Sequence, residues 1–98
     1  MKPTNSKISI SGLKLSRESY FEIDELLRNL ERYTPLGSNL RLNIVNGENE
    51  VNGFLEVLST SFKFEASSCG SIPINVVKDV ISLLRSQITL WMSQREFS

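Results

Sequence analysis

Six patterned segments run through this chain in the order strand, helix, strand, strand, strand, helix, and that order leaves few folds open. Lys7-Ile8-Ser9-Ile10-Ser11-Gly12 alternates polar and apolar residues, the period of a half-buried strand, with Ile8 and Ile10 on the inner side. Gly12 closes it and permits a sharp turn. Ser16 is the expected N-cap of a helix over 17–33, where Ile23, Leu26, Leu27 and Leu30 recur at helical spacing. Phe21, with Tyr33 or Tyr20, is expected to extend that stripe. Glu18, Glu22, Asp24 and Glu25 crowd its first half and Arg28 and Arg32 its second, which complements the helix dipole. Thr34-Pro35-Leu36-Gly37 stops the helix, because a proline pushes its predecessor out of the α region.

Leu40-Arg41-Leu42-Asn43-Ile44 alternates again and points Leu40, Leu42 and Ile44 at a core. Asn46-Gly47-Glu48-Asn49 reads as a tight turn with positive φ. The next strand, 52–59, is ambiguous in face; Leu55 and Val57 are placed inward, with Phe54 and Glu56 outward. Phe62-Lys63-Phe64-Glu65-Ala66 puts Phe62, Phe64 and Ala66 on one side. Two short connections in succession imply an antiparallel meander. Ser67-Ser68-Cys69-Gly70-Ser71 is expected to be a loop, with Pro73 opening a last helix. Val77, Val80, Ile81, Leu84, Ile88 and Trp91 mark its inner stripe. The assembled expectation is an α+β domain, β-α-β-β-β-α: a four-stranded sheet with two helices packed on one face and a mostly polar opposite face. Residues 1–6 are expected to be a disordered leader and 7–98 a single domain.

The residue inventory argues against chemistry. None of the 98 residues is His, so the usual general base near neutral pH is absent. Cys69, the one cysteine, has no His partner and cannot form an internal disulfide. Zinc of the Cys/His kind lacks ligands, and Glu48 and Glu50 in a polar turn read as solvated surface before they read as a magnesium site. The expectation is a non-enzyme with no cofactor and no metal. No apolar run is long enough to span a membrane, the start of the chain lacks a signal-peptide core, and a cytoplasmic home is the default.

Eleven basic residues balance eleven acidic ones, which weighs against a generic nucleic-acid binder but leaves room for charge gathered on one face. Arg17, Arg28 and Arg32 on the first helix and Lys78 and Arg85 on the second are the candidates for phosphate contact, provided the helices lie side by side and these groups flank one groove. The same residues also read as solvated helix flanks, since Asp24 stands four before Arg28 in the favourable order for a surface pair. Phe54, Leu90, Met92 and Phe97 fall off the expected core stripes and are candidates for contact with a protein partner or a second copy.

Taken together, these segments resemble the ribosome hibernation promoting factors, a family also called sigma-54 modulation proteins or ribosome-associated inhibitors, over roughly residues 7–94. Ile8-Ser9-Ile10-Ser11-Gly12 resembles the opening strand, and Leu30-Glu31-Arg32-Tyr33 the end of the first helix. Leu55-Glu56-Val57 with Phe62-Lys63-Phe64-Glu65-Ala66-Ser67 resembles the last hairpin, and Asp79 through Ile88 the long final helix. The resemblance implies a non-enzymatic translation regulator that sits on small-subunit rRNA, in the channel of mRNA and tRNA, and grips phosphates with basic helix side chains. The chain departs from the family where Leu26 and Asn29 replace typical lysines, where the second helix opens with Ser71-Ile72-Pro73-Ile74, and where it ends with Thr89-Leu90-Trp91-Met92. A protein-interaction module on the same fold, without RNA binding, is the alternative.

Overall fold

The computed structural model describes residues 5–34, 37–60 and 62–96, without the side chains of residues 95 and 96. Strand β1 (Asn5–Ser11) leads into helix α1 (Arg17–Tyr33), followed by β2 (Asn39–Asn46), β3 (Val51–Leu58), β4 (Lys63–Gly70) and helix α2 (Pro73–Glu96). The sheet order is β1-β2-β3-β4. β1 pairs parallel to β2, whereas β2–β3 and β3–β4 are antiparallel. The sheet is therefore mixed: α1 carries the chain back to the end where β1 began, so β2 runs in the same direction.

The inner face is built from Leu40, Leu42 and Ile44 of β2 and Val51, Leu55 and Val57 of β3, all buried. Ile23, Leu27 and Leu30 of α1 and Val76, Val77, Val80, Ile81, Leu84 and Ile88 of α2 cover them. Full burial of one such side chain contributes about 1.5–3 kcal/mol, so a handful of these contacts sets the stability of a domain this size. Ile8 and Ile10 of the edge strand pack on this core while staying half-buried. Phe62, Phe64 and Trp91 form a ring cluster with centroids 4.9, 5.1 and 6.0 Å apart, which ties the far end of α2 to β4.

Ser16 caps α1 as expected, accepting a hydrogen bond from the Ser19 amide at 3.1 Å. Thr34 ends the helix in an extended conformation (φ −84°, ψ 153°); its N–H bonds Leu30 O at 3.1 Å and its Oγ1 donates to Glu31 O at 2.9 Å. Pro35 and Leu36 lie outside the described residues. Gly12 turns at φ +79°, and Asn46 Nδ2 donates to its carbonyl at 3.1 Å.

Several local expectations are corrected. β1 starts at Asn5, so Asn5 and Ser6 are strand, and residues 1–4 of the expected leader lie outside the described residues. The β2–β3 hairpin closes at the Asn46–Val51 pair, with Gly47 N–H bonded to Glu50 O at 2.7 Å; neither Asn46 nor Gly47 has positive φ, because a four-residue loop does not need the primed two-residue turn. β3 spans 51–58, one residue earlier than expected, and Val51 joins the core. Ser67–Gly70 is strand, not loop. Its polar residues lack a strand signature, but Val51–Asn52–Gly53–Phe54 of β3 pairs with Gly70–Cys69–Ser68–Ser67 and holds them extended. Phe62 sits just before β4. Phe21 is 65% exposed and Tyr20 46%, so neither extends the inner stripe of α1; half-buried Tyr33 does pack against the core.

Candidate functional site

An open groove of about 670 Å³ lies between the outer sides of α1 and α2. Its depth follows from side-chain size: Ser82, Ser86, Thr89 and Ser93 recur along α2 at steps of four and three and leave space that longer residues would fill. Leu26 and Tyr33 supply the α1 wall. The Tyr33 hydroxyl is hydrogen-bonded to Thr89 Oγ1. The Arg85 guanidinium lies 4.9 Å from the Tyr33 ring centroid, a cation–π contact that restrains it at the groove. Lys78 lines the same groove and pairs with Glu22 at 3.7 Å. Two cations beside a row of hydroxyls make a surface suited to phosphate oxygens, because charged and hydroxyl donors are the usual partners of a nucleic-acid backbone.

The other basic candidates lie elsewhere. Arg28 and Arg32 flank a shallow depression with Asn5, Ser6 and Glu31, on the β1 side of α1. Arg28 Nε bonds Asp24 Oδ2 at 3.0 Å, and Glu31 accepts from the Ser6 hydroxyl. Arg17 stands with Tyr20, Phe21 and Asp24 near the start of α1. The expectation that all five basic residues flank one groove is thus corrected to two in the groove and three outside it. Helical geometry is the reason: at about 100° per residue, Arg28 points roughly 200° away from Leu26, which faces α2.

The apolar candidates divide too. Phe54 is half-buried on the open sheet face, between Asn43 of β2 and Ser67 of β4. Leu90 (61% exposed) and Met92 (45%) lie on α2, on the opposite side of the sheet, and Phe97 lies outside the described residues. Leu90 and Met92 do not form one patch with Phe54. The sequence reading missed the exposed pair Tyr20 and Phe21 beside Arg17; its only signal was that Phe21 stands two residues from Ile23, on the other side of the helix.

Among the described residues, Lys63 and Cys69 titrate away from their ordinary values. Hydrogen bonding to Glu65, then the charges of Glu65 and Glu56, raise Lys63, whose Nζ lies 2.7 Å from Glu65 and 3.8 Å from Glu56. A hydrogen bond to Glu50, then its charge, raises the Cys69 thiol. Among the described residues, no three of His, Cys, Asp and Glu gather as a metal site would require, and no helix is long and apolar enough to cross a membrane.

This is a β-α-β-β-β-α domain with a mixed sheet, one helical layer and one bare face. The N-terminal domain of Thermus thermophilus Protein Y matches it at a TM-score of 0.70 with 11% identity, over 93% of this chain and 99% of that one. A ribosomal subunit interface protein from Coxiella burnetii matches at 0.72 with 14% identity, over 91% and 98%. No family model and no curated protein matches the sequence. The resemblance drawn from the sequence thus holds in three dimensions as a shared fold.

Proposed function

We propose that this chain is a non-enzymatic ribosome-binding protein that regulates translation by occupying the small subunit. The observation that carries this reading is the near-complete, two-way fold match to a protein described as lying at a ribosomal subunit interface. The interhelical groove supports it, since Arg85 and Lys78 stand beside a hydroxyl row that suits rRNA phosphates. Arg17, Arg28 and Arg32 add contacts along α1 as the helical layer lies down on RNA. Binding blocks by bulk, with no turnover, cofactor or metal, and places the protein in the cytoplasm with the ribosome. The described elements act as one domain.

Cosedimentation with purified small subunits tests it. Five phosphate contacts imply a loss of roughly two to three decades in affinity between about 50 and 200 mM salt, because bound cations release counterions. Pelleting at low salt that fades over this range is the expected result. Absence from the pellet at low salt overturns the reading.

A further inference from the structure

The open face of the sheet is self-complementary in charge. Strand register sets its residues in four crosswise rows. One row runs Lys7, Arg41, Glu56, Glu65 from β1 to β4, so its positive half lies on β1 and β2 and its negative half on β3 and β4. The next reads Ser9, Asn43, Phe54, Ser67, the third Ser11, Val45, Asn52, Cys69, and the remaining one Asn5, Asn39, Leu58, Lys63. The apolar members, Val45, Phe54 and Leu58, all lie on the two central strands; Val45 and Leu58 are 45% and 42% exposed. Neither Lys7 nor Arg41 makes an ion pair among the described residues. Lys63 satisfies Glu65 at 2.7 Å but reaches Glu56 only at 3.8 Å.

We infer that this face binds a second copy of the chain, face to face, about a two-fold axis parallel to the strands and midway between β2 and β3. Such an axis exchanges β1 with β4 and β2 with β3 while keeping each row in place. Arg41 then lies opposite the partner copy's glutamate at position 56, and Lys7 opposite that at 65. Each central apolar residue then faces the partner copy's asparagine in its own row, Phe54 over the copy of Asn43, Val45 over that of Asn52 and Leu58 over that of Asn39, and lies diagonally across the axis from its own copy. A two-fold axis across the strands lays the charged row over the row of Phe54 instead, and sets Glu56 against an aromatic ring without a counter-charge. Charge pairing therefore selects the first arrangement. It also accords with the roughly aligned packing of stacked sheets.

The face measures about 26 by 19 Å from strand rise and spacing, some 500 Å² in projection. That is below the ~800 Å² per partner of a standard stable interface, so the dimer is weak and forms at high local concentration. The inference is independent of the ribosome reading, since it uses the sheet face and not the helical layer.

Sedimentation velocity of the purified chain at low salt, over a wide concentration range, reads it out. The wild type is expected to shift toward the mass of two copies as concentration rises. Arg41→Glu and Glu56→Arg alone each place like charges opposite one another and weaken association by about tenfold or more. An equimolar mixture of the two variants restores both pairs, and with them a dimer containing one copy of each; this outcome also shows both variants to be folded. Three results overturn the inference: a wild type monomeric to millimolar concentration, single variants that associate as the wild type does, or a mixture no stronger than its components. Association lost in Leu90→Ser but kept in both charge variants assigns the contact to the helices and overturns it as well. So does a monomeric wild type whose ribosome pelleting falls in Phe54→Ser, because the face then takes RNA.

Discussion

A Cβ built on Gly53 would lie 2.6 Å from Val76 Cγ1, closer than carbon atoms approach without displacement. β3 and α2 meet backbone to side chain there, and only glycine permits that spacing. Gly53→Ala should destabilise the fold by about 1–3 kcal/mol, seen as a lower urea midpoint, with part of the loss recovered by Val76→Ala in the same chain. At Cys69 the hydrogen bond to Glu50 favours the neutral thiol and raises its titration. The folded value lies above the unfolded one, so whatever stability the contact contributes is present at neutral pH and lost as pH rises through the folded value. The thiol should react slowly with iodoacetamide near pH 8 despite its exposure, and Glu50→Gln should speed the reaction. A rate unaltered by Glu50→Gln contradicts the assignment. Neither feature is legible in the sequence, since each joins residues from separate elements.

At the scale of elements, α1 shows how much local chemistry can specify. Its bounds, its Ser16 cap and its inner residues Ile23, Leu27 and Leu30 were all readable from spacing and residue type. Ser16→Ala should cost about 1 kcal/mol in urea denaturation with little change in slope, because it removes one amide partner and no core surface. A midpoint equal to that of the wild type would show that Ser19 N–H finds another acceptor. β4 shows the opposite case. Phe64 and Ala66 announce a strand, whereas Ser67–Gly70 carries no pattern and takes its conformation from hydrogen bonding to β3. The β2–β3 loop is similar: Asn-Gly signals a turn, but the register of its two flanking strands chose the four-residue form.

For the whole molecule, a formal charge of zero says nothing about where charge lies. The helical layer places Lys78 and Arg85 in one groove and turns Arg28 and Arg32 toward β1. Lys78→Glu with Arg85→Glu should reduce small-subunit pelleting at low salt at least tenfold, by an order-of-magnitude estimate from lost phosphate contacts. The equivalent reversal at Arg28 should cost less, as Asp24 at 3.0 Å already offsets part of its charge. Equal losses from both would place the RNA across the top of α1 and not along the groove.

From its sequence alone the chain determined its element order, both helices, the inner faces of its strands and the absence of histidine chemistry, because each of these depends on neighbours within a few residues. Tertiary structure decided which side of α1 faces α2, the close approach at Gly53, the extended Ser67–Gly70 segment and the crosswise row from Lys7 to Glu65. Those depend on how distant segments are brought into register, and periodicity along one segment carries no information about its partner's rotation or offset.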